Sequence, residues 1–369
     1  MKNISILLLI ATLSGCAGLP SIPPDGYSKT QETPPLTTRV AFDQLGEIYP
    51  ISPPFKLPGR NKLKPNINSG FSIREHFRRN SLNYNPDQIT FDITKKIVEN
   101  SESTGANSKI IFLIHGFNNS FYEAKTSLEL IKDTIEKDNT SKNTYVEVYW
   151  DGLHKGVFSF KSPNFYWQNA LTNSNFAGEV GLRNLLNKLP DNTDLYFITH
   201  SRGAAVVFSA FTNPIYDPNI KEPNSQKLAL SKFNKVRIVS FAPAIGTGHF
   251  SDIDENIKAT IPKDFPQDTK VFLGFNSSDR TLKKFMPKKI GERLLGSTKL
   301  GYDNSYYKNV EKIFNTKNLW IQRQEYTQKK HGLKEYFGLE QSQNRTYTNC
   351  ILWASSLIKT KPRECSLTQ

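Results

Sequence analysis

Asp194-Leu195-Tyr196-Phe197-Ile198-Thr199-His200-Ser201-Arg202-Gly203-Ala204-Ala205 is the stretch whose reading decides the fold. Leu195 to Ile198 is a short run of large apolar side chains, the pattern of a strand buried on both faces of a parallel sheet. From Gly203 to Phe208 the residues are small and then apolar, which suits a sharp turn running directly into a helix packed under that strand. Ser201 falls at the apex. A serine held there exposes its hydroxyl, and the backbone N–H groups of the helix start face whatever approaches it.

Working outward, the same alternation of buried strand and helix recurs on both sides. Lys109 to Ile114 is a continuous apolar strand running into His115-Gly116-Phe117-Asn118-Asn119-Ser120. Ser120 and Glu123 have capping-box spacing, and Ala124, Leu128, Ile131 and Ile135 recur at helical intervals, so a helix follows. Tyr145 to Trp150 reads as the next strand, and residues 175 to 189 as a helix that delivers the chain to the serine strand. A polar insertion over about residues 213 to 233 precedes strands at Val236 to Phe241, Lys270 to Phe275 and Leu319 to Gln324, with a closing helix from near Lys334. Ile89, Phe91 and Ile93, alternating with Thr90 and Asp92, predict one more strand, and the folded body is expected to begin between residues 66 and 90. This order predicts an α/β domain with a mostly parallel central sheet and helices on both faces.

Ser201 and its neighbours resemble the G-x-S-x-G elbow of the α/β-hydrolases, with Thr199 where that family has its first glycine. His115-Gly116, then a helix, a strand, a helix and S-x-G, reproduces the family's order of parts, and the resemblance covers roughly residues 89 to 355. It implies a serine hydrolase in which Ser201 is the nucleophile and the backbone N–H groups of Phe117 and Arg202 form the oxyanion hole. It also implies a histidine after the last strand and an acid after an earlier one. Of the six histidines, His76 precedes the expected body, His115 and His200 lie inside the motifs, His154 and His249 lie in loops, and His331 follows the last strand. Asp279, just past the strand ending at Phe275, is the expected acid; Asp252 and Asp254, one strand earlier, compete with it. Carboxylic esters, including lipid esters, are the substrates this reading favours. Thioesterase, peptidase and acyltransferase chemistry stay open, because the fold hosts many reactions. A second class of reading has the fold without the catalysis, as a binding or envelope-assembly module, with Thr199 as its support.

No cofactor is implied: Rossmann and P-loop glycine patterns do not occur, and neither H-E-x-x-H nor C-x-x-C suggests a metal. The N-terminus has a basic start, an apolar core from Ile4 to Leu13 too short to span a bilayer, and then Leu13-Ser14-Gly15-Cys16. This resembles a bacterial lipoprotein signal over residues 1 to 15, which implies cleavage before Cys16 and acylation of that cysteine. Ala17 in place of aspartate favours the outer membrane. Residues 16 to 65, rich in proline, read as a tether between membrane and folded body. A net charge of +14, or +13 without Lys2, favours anionic surfaces such as phospholipid headgroups, as do the basic stretches Arg60 to Arg79 and Lys283 to Arg293. With no nucleic-acid-binding motif beside that charge, nucleic acid is not an expected partner. Of three cysteines, Cys350 and Cys365 are left to pair in an oxidising compartment.

If Cys16 carries the anchor, Cys16→Ser either releases the protein from the membrane fraction or leaves an uncleaved precursor. A variant processed and fractionated like the wild type removes Cys16 from that role.

Overall fold

The structure is a computed structural model that describes residues 34–50, 72–105, 109–138, 142–152, 163–214, 216, 219–250, 268–284, 298–316, 319–339 and 341–369. The lipoprotein-signal reading, Cys16, His154, Asp252 and Asp254 fall outside these residues. So do much of the proline-rich stretch and most of the two basic stretches.

In chain order the described elements begin with strand β1 (Thr37–Phe42), helices α1 (Ile73–Arg79) and α2 (Pro86–Ser103), strand β2 (Ile110–Ile114), helix α3 (Phe121–Glu136) and strand β3 (Thr144–Trp150). Helix α4 (Pro163–Phe176) continues through a π-helical segment (Ala177–Leu182) into α5 (Arg183–Lys188), then β4 (Thr193–His200), α6 (Gly203–Phe211), β5 (Phe233–Phe241) and β6 (Asp268–Phe275). Helix α7 (Asn304–Thr316), strand β7 (Trp320–Glu325) and helices α8 (Leu333–Tyr336) and α9 (Ser342–Ala354) complete the set. The strands form one seven-stranded sheet, ordered β1-β3-β2-β4-β5-β6-β7, and every neighbouring pair is parallel.

Alternation along each strand explains why the strand sequences are apolar throughout. Phe112 and Ile114 of β2 join a core with Ile93, Leu185, Val206 and Val310, under α2, α5, α6 and α7. Ile111 and Leu113 of the same strand join a second core with Leu128, Ile131, Ile351 and Leu352, under α3 and α9. Both faces are dry, so no polar alternation survives.

Two sequence expectations are corrected. Residues 89 to 93 are helix, not strand: Asn85 caps α2 by accepting from the Gln88 N–H at 3.1 Å, Pro86 takes a first-turn position, and Ile89, Ile93 and Ile97 share the inward face while Phe91 is 56% exposed. The body also begins earlier than expected, because Thr37 to Phe42, inside the stretch read as tether, is an edge strand buried along its whole length against β3. Arg39 interrupts its apolar pattern, and the structure accommodates that charge by a buried pair with Glu147 at 2.8 Å.

Tail and edge meet at β7. Cys350 and Cys365 form a disulfide, and the Gln322 side chain on β7 bonds Thr368 twice, donating to its hydroxyl at 2.9 Å and accepting from its N–H at 3.3 Å.

Helix α6 is held by buried polar groups at both ends. At its C-terminus Arg183 donates to the carbonyls of Ser209, Ala210 and Thr212, and lies 3.7 Å from Glu179, whose carboxylate accepts from Tyr216 at 2.6 Å and Ser225 at 2.8 Å. Along its flank Asn175 Oδ1 accepts from Arg202, at the N-terminus, at 3.1 Å and from Ser209, two turns on, at 3.2 Å, and lies 3.1 Å from His249 Nε2. His249 is fully buried, and burial, together with the Arg202 charge, pushes its imidazole down to about 3.

Removing Arg183 leaves Glu179 and three carbonyls without it, so Arg183→Ala is expected to cost about 3 to 5 kcal/mol in urea unfolding, whereas Arg78→Ala, on an exposed pair with Glu75, leaves the midpoint unchanged. His249 is neutral when folded but takes a proton when unfolded below about pH 6.5. Stability present above that pH is therefore lost progressively as the pH falls toward 3. His249→Gln should flatten the slope of unfolding free energy against pH between 4.5 and 6 by about one proton, roughly 1.4 kcal/mol per pH unit; an unchanged slope contradicts a neutral buried imidazole.

Candidate active site

The chain passes from β2 outward to β3 and returns to the other side of β2 as β4. This makes the carboxyl ends of β2 and β4 the point where strand order reverses and a crevice opens. Ile114 is in register with Thr199, so the residues that follow, His115 to Phe117 and His200 to Arg202, are neighbours. Ser201 leaves β4 in the left-handed region at φ 53°, with its N–H donating to the Phe241 carbonyl at 2.9 Å. An L-residue with a side chain costs about 1 kcal/mol or more there. The turn is also tight: a Cβ on Gly203 would lie 2.5 Å from the His115 carbonyl oxygen, so only glycine fits two places after the serine. Thr199, where the hydrolases have glycine, is fully buried and donates its hydroxyl to Ser240 at 2.8 Å on β5, so the turn forms with a β-branched residue in that position.

The structure brings Ser201, His331 and Asp279 together. His331 follows β7 and Asp279 follows β6. Asp279 Oδ2 is 2.7 Å from His331 Nδ1, and His331 Nε2 is 2.8 Å from Ser201 Oγ. The carboxyl group of Asp279 is fully buried; burial alone raises such a group, but the His331 bond and the N–H groups of Leu282 and Thr281, at 3.0 and 2.9 Å, hold it below its ordinary value. An ionised carboxylate only accepts. Nδ1 of His331 must therefore carry the proton, which leaves Nε2 to accept from the serine hydroxyl. Ser201 is 6% exposed and the His331 side chain 16%, so the pair is reachable from solvent while the acid is not.

The proposed oxyanion residues flank the serine. Gly116 lies so close that a Cβ on it would be 2.9 Å from the Ser201 Cβ. His115 is buried and neutral, pushed down to about 4 by burial; its Nε2 accepts from the Trp150 N–H at 3.1 Å, so its Nδ1 donates to the Gly116 carbonyl at 2.8 Å. Asn119 donates to the same carbonyl at 3.3 Å. Because the peptide is planar and trans, pinning the Gly116 oxygen also fixes the Phe117 N–H, which points the opposite way. Arg202 presents its backbone at the start of α6, while its side chain runs into the core. There the guanidinium donates to Ser174 at 2.8 Å and to the Leu171 and Ala244 carbonyls at 3.1 Å, and burial lowers it to about 9.

Sequence reading missed His115 as an anchor of the loop and treated Arg202 only as backbone. A histidine placed directly at the end of an apolar strand was the available signal for the first. Nothing in the sequence marks the second, whose partners come from α4 and the segment after β5. Among the described residues, no group of three His, Cys, Asp or Glu side chains is placed to hold a metal ion, and no helix is long and apolar enough to cross a membrane.

Comparison with known proteins places the chain in a family. Among solved structures the chain is similar to a thermophilic esterase from Thermogutta terrifontis with propionate bound (12% identity, 70% of this chain and 87% of that one, TM-score 0.33). It is also similar to a Bacillus cereus carboxylesterase (9%, 67% and 90%, TM-score 0.30) and to an S-formylglutathione hydrolase from Agrobacterium tumefaciens (9%, 68% and 84%, TM-score 0.35). No curated protein matches the chain. A family model described as alpha/beta hydrolase of unknown function (DUF900) matches residues 91–284, more than half of the sequence, from within α2 to just past Asp279, and the chain belongs to that family.

Proposed function

We propose that the protein is a serine hydrolase acting on carboxylic esters through an acyl-enzyme, with Ser201 as nucleophile, His331 as base and acid, and Asp279 as the orienting carboxylate. The observation that carries the reading is the unbroken relay from Asp279 Oδ2 through His331 to Ser201 Oγ, at 2.7 and 2.8 Å. In the first step Ser201 Oγ bonds to the ester carbonyl carbon as its proton passes to His331 Nε2. The carbonyl π pair moves onto oxygen, where the Phe117 and Arg202 N–H groups receive it. Asp279 stabilises the imidazolium without taking its proton. Collapse of the tetrahedral species expels the alcohol oxygen, which leaves with the proton from His331. Water then repeats the sequence on the acyl-serine and regenerates the hydroxyl.

An anchored setting, with Cys16 acylated and the hydrolase held at an anionic membrane surface, remains part of this proposal. Its supports are the sequence around Cys16, the net charge of +14 and the Cys350–Cys365 disulfide, a bond at home in oxidising compartments. Lipid esters are then the substrate class closest to hand. Against the reading of a catalytically silent module stands the accommodation of Thr199, since the departure from the family glycine leaves the elbow formed.

A fluorophosphonate probe and p-nitrophenyl acetate test the proposal together. Wild type should be labelled rapidly, Ser201→Ala should be neither labelled nor active, and Asp279→Asn should lose about four orders of magnitude in turnover while melting as a folded protein. Labelling that persists in Ser201→Ala, or near wild-type turnover in Asp279→Asn, overturns the assignment of that residue.

A further inference from the structure

His200, the last residue of β4, takes no part in the proton relay, yet its ring touches both loops that the chemistry needs. Its Nε2 lies 2.8 Å from the main-chain carbonyl oxygen of His331. A carbonyl only accepts, so Nε2 carries the proton and donates. The ring lies 4.9 Å from the His331 ring, centroid to centroid, and 6.3 Å from that of Tyr336. On its other side stands the oxyanion loop: a Cβ built on Gly116 would be 3.1 Å from His200 Nδ1.

The His331 loop needs such a hold. Between the end of β7 at Glu325 and the start of α8 at Leu333 the backbone is irregular: the Tyr326 N–H still donates to the Phe275 carbonyl at 2.7 Å, and residues 327–332 lie outside strand and helix. Asn276, on the loop that carries Asp279, donates to the Gln328 carbonyl at 2.7 Å. His200, on the strand that carries Ser201, donates to the His331 carbonyl. The loop bearing the base is thus fastened both to the acid's loop and to the nucleophile's strand, so the imidazole is referred to both groups it must bridge.

We propose that His200 is a positioning residue: its Nε2–H bond to the His331 carbonyl sets the backbone from which the His331 imidazole spans Ser201 and Asp279. The chemical consequence rests on the hydrolase reading above; the positioning itself does not. Burial, with the neighbouring His331 ring, pushes His200 down to about 3, so it remains a neutral donor even when His331 carries the reaction's proton. A displacement of about 1 Å at a reacting group is enough to cost roughly 100-fold.

Two substitutions separate the hydrogen bond from the packing. His200→Phe keeps a ring and deletes the donor, whereas His200→Gln places an amide N–H near the position of Nε2 and deletes the ring. Two readouts are taken on the full chain. One is the downfield proton NMR resonance of the His331 Nδ1–H donated to Asp279, identified by its loss in His331→Gln. The other is labelling by a fluorophosphonate alongside turnover of p-nitrophenyl acetate. His200→Phe should melt as a folded protein but lose or broaden the resonance, with labelling and kcat down about 10- to 100-fold and KM changed less than about threefold. His200→Gln should restore the resonance and return kcat to within about fivefold of wild type. The inference is overturned if His200→Phe keeps the resonance and labels at the wild-type rate. It is equally overturned if His200→Gln folds yet behaves like His200→Phe, since ring packing would then be what matters. A wild type that shows the resonance, loses it in His200→Phe and regains it in His200→Gln, but never reacts with the probe, sinks the hydrolase reading and supports the positioning.

Discussion

Everything at the site depends on the pairing of β2 with β4, which places Ile114 beside Thr199 and so brings two strand ends to the same level. Shifted by one residue, this register turns every side chain to the opposite face of the sheet. The glycine two places after the serine would no longer meet the His115 carbonyl, and the Gly116 peptide would no longer stand beside Ser201. The left-handed turn at Ser201 is strained on its own. It persists because the strand before it is pinned on both sides and the helix after it is anchored by Arg183 and by the buried groups around Arg202.

The elements legible in the sequence were those whose local signals agree with the global fold. β2, β4, β5 and β6 are apolar runs closed by turn residues, and α3 carries its own capping box, formed by Ser120 and Glu123. β1 was not legible, because a strand that buries a charged pair has no continuous apolar signature, and Glu147 supplies the missing half more than a hundred residues away. α2 was misread because three isoleucines at four-residue spacing pass for strand alternation when an exposed Phe91 falls between two of them; Asn85-Pro86 was the discriminating signal. The positions of Ser201, His331 and Asp279 in chain order could be carried over from a resemblance, but their distances depend on β6 and β7 stacking outward in order. The roles of His200, His115 and Arg202 are hidden, since each is defined by a backbone carbonyl that the sequence does not display.

Charge management in the site follows one rule: cationic groups are kept neutral or are spread over carbonyls. His115, His200 and His249 are all driven by burial well below the ordinary imidazole value. Each has a fixed tautomer partner or a fixed acceptor close by, which leaves His331 as the histidine of the cluster that is backed by a carboxylate. Arg202 instead shares its charge among carbonyls and side-chain oxygens directly beneath the elbow. The positive field of the guanidinium is thereby close to the helix start whose N–H groups face the serine, in a region where low dielectric lets it be felt.

The order of the parts along the chain carries a temporal consequence. Synthesis proceeds from β4 to β6 to β7, so Ser201 is made long before Asp279 and His331. Until β7 docks on β6 and its following loop reaches back across the sheet, the Ser201 hydroxyl lacks the contact with His331 Nε2 that the folded protein gives it at 2.8 Å. β7 is itself the margin of the sheet, and Thr368 in the C-terminal tail is fastened to its Gln322. The Cys350–Cys365 bond ties to α9 the same tail that Thr368 fastens to β7, so the final residues made are the ones that close the margin from which the His331 loop departs.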